Sequence, residues 1–120
     1  MTKTEKQQVY SKLQDRKLQV AAHTIGIDYP DLQGILRTRD RKKVLHRNSF
    51  SGQDKWMDEL VEEGKARRGI TRSQGAISSE EFVWYQLTLK GIAWVEDQLQ
   101  CITFLMHTDY ALVLTKGNQA

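Results

Sequence analysis

Cysteine is almost absent from this chain of 120 residues: Cys101 stands alone. A single thiol cannot close an internal disulfide, so the sequence predicts a reducing, cytoplasmic setting. Proline is also single, Pro30, which argues against a proline-rich linker. Long apolar runs are missing too. The longest is Tyr110-Ala111-Leu112-Val113-Leu114, far below the roughly 18 residues that a membrane-spanning helix needs. The N-terminal residues 1–8 have no apolar core and do not read as a secretory signal. A soluble protein is expected, with no membrane partner.

Chemistry-bearing clusters are missing as well. His23, His46, His107 and Cys101 are scattered, without the spacing of metal ligands. The eight glycines are isolated and form no phosphate loop. No Ser/His/Asp or Cys/His set is brought together by the sequence. The pairs Glu62-Glu63 and Glu80-Glu81 read as solvated charges. No catalytic residue, metal or cofactor is therefore expected.

What is present fits one globular domain spanning residues 1–120. Apolar residues make up 39% and charged residues 28%, enough for a core and too apolar for wholesale disorder. Net charge is only +3, but its distribution is uneven. Residues 37–47 carry Arg37, Arg39, Arg41, Lys42, Lys43 and Arg47 against Asp40 alone. Residues 65–72 carry Lys65, Arg67, Arg68 and Arg72 against no acid. Such segregation makes a local positive surface that attracts phosphate. The same residues also read as two solvated basic faces, since lysine and arginine are ordinary surface residues.

Periodicity orders the chain. Residues 5–25 read as helix, with a break near Asp15 and Gly26 as its stop. Residues 28–31 form a turn, and 31–36 a helical turn with Leu32, Ile35 and Leu36 inward. Residues 37–43 are too charged for core. Residues 44–50 read as a short strand or a helix tail.

The centre is clearer. Asp54 is placed to cap a helix. Trp56, Met57, Leu60 and Val61 share one face of it, and Asp54, Asp58, Glu59, Glu62 and Glu63 lie on the other side. Gly64 ends it. Residues 65–70 and 82–88 then read as strands around a loop at 73–81. Thr88 caps a second helix, 89–99. Trp56, Trp84 and Trp94 read as core residues before stacking platforms for bases; Trp56 and Trp94 fall on apolar helix faces, and Trp84 has the best claim to exposure. Residues 101–106 and 111–115 read as a hairpin, or alternatively as continued helix, with a frayed tail at 116–120.

The run Leu60-Val61-Glu62-Glu63-Gly64, a hairpin, and then Tyr85-Gln86-Leu87-Thr88-Leu89-Lys90-Gly91-Ile92 resembles winged helix-turn-helix proteins. With His46-Arg47-Asn48-Ser49-Phe50 added, residues 44–99 are similar to small proteins of phages, prophages and mobile elements. The resemblance implies a winged-helix-like centre at about 44–99; with the N-terminal helix and the C-terminal hairpin or helix read from periodicity, the fold class expected is α+β. Lys65, where such proteins usually carry an aliphatic residue, departs from it, and residues 37–43 and the tail after Leu99 lie outside it.

Two functions follow as expectations. One is a non-catalytic regulator that binds DNA through the basic residues named above. The other is a module that docks on a host protein through the acidic helix, using Asp58, Glu59, Glu62 and Glu63. That acidic face counts against simple insertion of the helix into DNA. Either protein is compatible with a symmetric homodimer.

Overall fold

The computed structural model describes residues 2–74 and 79–105; the side chains of 72–74, 79, 80 and 105 are left aside. The fold is α+β. Three helices come first: α1 (Lys3–Lys12), α2 (Arg16–Thr24) and α3 (Tyr29–Arg37). Two short strands follow, β1 (Lys42–Leu45) and β2 (Phe50–Ser51). Then come α4 (Lys55–Glu62), the hairpin strands β3 (Ala66–Gln74) and β4 (Ser79–Leu87), α5 (Leu89–Leu99) and β5 (Ile102–Leu105).

The expected break near Asp15 is a full separation of two helices. Asp15 caps α2 by accepting from Leu18 N at 3.0 Å. Gly26 reverses the chain at φ +83, a conformation that costs glycine little. Asp28 and Asp31 then form a capping box at the start of α3, with Pro30 in its first turn, where a missing amide hydrogen costs nothing.

The strands fall into two sheets. β1 and β5 pair in parallel, Val44 opposite Phe104. The other sheet has the order β2-β4-β3, antiparallel throughout. Residues 44–50 are thus strand at both ends, not a helix tail. β1 begins inside the charged stretch, at Lys42, and its one fully buried residue is Leu45. The hairpin is longer than expected. Its strands run on through Gln74 and from Ser79, so most of the expected loop at 73–81 is paired.

The expected C-terminal helix is excluded over 102–105. Gln100 takes a left-handed conformation, φ +52, and closes α5. The chain then enters β5, whose partner is β1. The second half of the expected hairpin, 111–115, and the tail 116–120 lie outside the described residues.

The core forms where the helices meet the inner face of the larger sheet. Leu18, Ile25 and Leu32 from the N-terminal helices are buried with Met57 and Leu60 of α4. Tyr85 and Leu87 of β4 and Ile92, Val95 and Leu99 of α5 complete it. Burying side chains of this size stabilises by about 1.5–3 kcal/mol each. Trp56 and Trp94 are only half-buried. Each takes a lysine instead: Lys55 Nζ lies 4.8 Å from one ring and Lys65 Nζ 4.4 Å from the other.

Two joints hold the centre. Thr88 Oγ1 accepts from Gly91 N at 3.2 Å as the cap of α5, and donates to Gly64 O at 2.7 Å. Gly91 touches the start of β3 so closely that an added Cβ would lie 1.9 Å from the Lys65 carbonyl oxygen. Buried Asn48 forms the second joint. Its Nδ2 donates to Leu87 O at 2.9 Å and its Oδ1 accepts from Leu87 N at 2.7 Å.

Candidate nucleic-acid interface

The hairpin has two faces, because side chains alternate along a strand. Ala66, Arg68 and Ile70 share the inner face with Leu87, Tyr85 and Val83; Arg67, Gly69 and Thr71 share the outer face with Gln86, Trp84 and Phe82. Ala66, Tyr85 and Leu87 sit in the core. Further out, Ile70 is 55% exposed on the inner face and Phe82 51% exposed on the outer face. The hairpin is therefore a core element at its base and an arm with both faces open beyond it.

Lys65, Arg67 and Arg68 are held at the base of this arm. Arg67 donates from Nε and Nη2 to Gln86 Oε1 across the strands, the first at 3.0 Å. Arg68 Nε lies 3.9 Å from Asp58 Oδ1. Lys65 pairs with Glu63 at 2.8 Å. Arg72 stands opposite Glu81 in the register; its side chain lies outside the described ones.

The other basic stretch lies around α3 and β1. Arg37 ends α3, and Arg39 follows in the turn; both are exposed, and neither has an ion-pair partner among the described residues. Arg41, at φ +50, lines a shallow depression with Glu96 and Asp97. Lys42 stands 3.8 Å from Asp40, and Lys43 3.6 Å from Asp31. Arg47 donates to the His23 carbonyl oxygen from Nε at 3.2 Å and from Nη2 at 2.6 Å. The ten candidate residues thus form two groups, one from the end of α3 through β1 to Arg47 and one along the entry and strand of β3. Several are neutralised by a neighbouring acid, a distribution that counting charges along the sequence does not reveal.

The acidic helix is partly neutralised too. Asp54 is its cap, with Oδ1 accepting from Trp56 N and Met57 N at 2.9 Å each. Asp58 accepts from the Tyr85 hydroxyl at 2.7 Å. Burial pushes the Tyr85 phenol above its ordinary range, and the carboxylate of Asp58 adds to the rise. Glu63 is not the solvated charge expected of it. It accepts from Lys17 of α2 and from Lys65. These two bonds, Lys17 first, hold its carboxyl below the usual value of 4.5, and the same bond raises Lys17 above 10.5. Only Glu59 and Glu62 remain exposed from the four expected contact acids.

Other chemistry is sparse. No group of three or more potential metal ligands occurs among the described residues. Cys101 is buried, and burial pushes its thiol up to about 11, so it is protonated and unreactive at neutral pH. No helix among the described residues is long and apolar enough to cross a membrane. No protein family, curated protein or solved structure matches the chain. Its function has to be argued from the arm and the basic residues themselves.

Proposed function

We propose that this chain is a small non-catalytic regulator of the phage and prophage type. It binds nucleic acid through the arm and the basic residues at the end of α3, and acts by occupancy. The observation that carries this reading is the arm. Its first strand holds Arg67, Arg68 and Arg72 with no acid from Ala66 to Gln74, and beyond its base both faces are open. A projecting basic hairpin reaches phosphate without burying the partner in a pocket.

A winged-helix-like centre is part of the proposal. The sheet order β2-β4-β3, with α4 leading into the hairpin and Thr88 capping the helix after it, supports it. The contacts, however, differ from those of a helix read into the major groove. α4 carries Glu59 and Glu62 outward, which repel phosphate. Positive contact falls instead to Arg37 and Arg39, which have no acid partner among the described residues, and to Arg67 and Arg68. The alternative, docking on a host protein through the acidic helix, rests on those two exposed glutamates.

The test is binding of a labelled mixed duplex DNA, followed by fluorescence anisotropy. Reversing Arg37→Glu and Arg39→Glu together, or Arg67→Glu and Arg68→Glu together, is expected to weaken binding at least tenfold, with the thermal melt checked for each. Neutralising Glu59→Gln and Glu62→Gln is expected to leave binding unchanged or stronger. Binding indifferent to both arginine pairs contradicts the proposal.

A further inference from the structure

Trp84 lies on Gly69 as a lid lies on a dish. The two residues oppose each other on the outer face of the arm. A Cβ added to Gly69 would sit 1.9 Å from Trp84 Cζ2, 2.3 Å from Cε2 and 2.5 Å from Cη2. The indole therefore fills the space of the side chain that glycine lacks. Its Nε1 donates to Thr71 Oγ1 at 3.0 Å, which fixes the ring's rotation on the strand. A glycine in a strand interior weakens it, and marks a place where another group approaches closely. Here that group is the ring, and the ring is only half-buried.

The surroundings of the ring are ordered in three rows along the arm. Arg67 and Gln86 form one row, Gly69 under Trp84 the next, and Thr71 with the half-exposed Phe82 the third. Rows on one face repeat about every 7 Å. Arg67 is the one charge within these rows. Gln86 engages one hydrogen on Nε and one on Nη2, leaving three of the five guanidinium N–H groups for an outside acceptor. The face thus offers a fixed indole, a phenyl ring and a held cation.

We infer that the outer face of this arm is a stacking platform for unpaired bases of single-stranded nucleic acid, with Trp84 as its centre and Arg67 meeting the phosphate. The inference rests on the proposed nucleic-acid function and narrows it. In a duplex the base faces are stacked on one another, and only an unpaired base presents its face to an indole. Aromatic side chains on a sheet, beside arginine, bind single strands in this way with little preference for sequence. Phe82, one row out, is placed for a second base.

The experiment uses a short labelled oligo(dT) and a labelled duplex with the full chain at low salt. Trp84→Leu keeps an apolar cover over Gly69 but removes the π-face. It is expected to weaken oligo(dT) binding about tenfold and to leave duplex binding within about twofold of the original. A Trp56→Phe, Trp94→Phe variant isolates Trp84 fluorescence, which oligo(dT) is expected to quench. Equal oligo(dT) binding by the Trp84→Leu variant, with no quenching, overturns the platform and leaves the nucleic-acid function standing. So does duplex binding without any oligo(dT) binding. Failure of both probes to bind the wild-type chain overturns the two together and leaves the arm to a protein partner.

Discussion

Asn48 does at one position what a neighbouring strand would do. β2 begins only at Phe50, opposite Tyr85, and the last residue of β4, Leu87, meets the carboxamide of Asn48 on both its N–H and its C=O. Both groups are buried, so each loses a partner if the amide goes. Asn48→Ala is therefore expected to destabilise the fold by about 3 kcal/mol, since an orphaned buried polar group costs roughly 1–3 kcal/mol. Urea unfolding measures it. Asn48→Asp tests the geometry further: a carboxylate accepts from Leu87 N but cannot donate to Leu87 O, so it is expected to be no better than alanine at neutral pH. The neighbouring residues of the same segment are also structural. Arg47 ties to the His23 carbonyl, and the Phe50 ring meets Tyr85 edge-on at 6.1 Å. The segment 46–50 that carries the resemblance thus works as an anchor for β4.

At the scale of elements, Glu63 joins three of them. It follows α4 at its C-terminal cap, accepts from Lys17 on α2, and accepts from Lys65 at the entry to β3. The carboxyl of Glu63 is lowered, so its contribution is full above the ordinary value of 4.5 and fades as pH falls through the lower folded value. Lys17 is raised, so its contribution is full below 10.5 and fades as pH rises through the higher folded value. Between these limits the clamp is constant. The side chains are 24% and 34% exposed, and solvent screening keeps the clamp to about 1 kcal/mol. Glu63→Gln is expected to lose about that much at pH 7 and to show a shallower fall in stability on the acid side. Equal acid dependence in the two proteins would show that Glu63 holds nothing together. The elements most legible from sequence were those fixed by local chemistry: the Asp54 cap, the Thr88 cap, and Gly64 and Gly91 around the hairpin. What was not legible depends on distant partners. The parallel pairing of β1 with β5 joins residues 60 positions apart, and no local pattern announces it. The arm's length escaped because Ser73, Gln74 and Ser79 read as loop residues, yet they continue a ladder already nucleated in the core.

Across the whole molecule, the candidate site was legible as charge and illegible as geometry. Counting basic residues finds ten. The fold separates them into a group around α3 and β1 and a group along β3, and pairs Lys42, Lys43, Lys65 and Arg68 with acids. Arg47 is turned inward to a carbonyl. Trp84 read as the most exposed tryptophan, but its bed on Gly69 follows from strand register, which the sequence does not state. The account's central claim is that Arg37, Arg39 and Arg67 meet phosphate, together with exposed Arg68, whose approach to Asp58 is long at 3.9 Å. Four contacts, from Arg37, Arg39, Arg67 and Arg68, predict a slope of log affinity against log salt of roughly −3 to −4 on duplex DNA.

The measurement that tests this most directly is anisotropy of labelled DNA with the wild-type chain, across salt from about 50 mM to about 200 mM. The account predicts binding that weakens roughly a hundredfold over that range, and a shallower slope, by about two units, when Arg67→Gln and Arg68→Gln are combined. Binding that ignores salt, or no binding at the low-salt end, would contradict it.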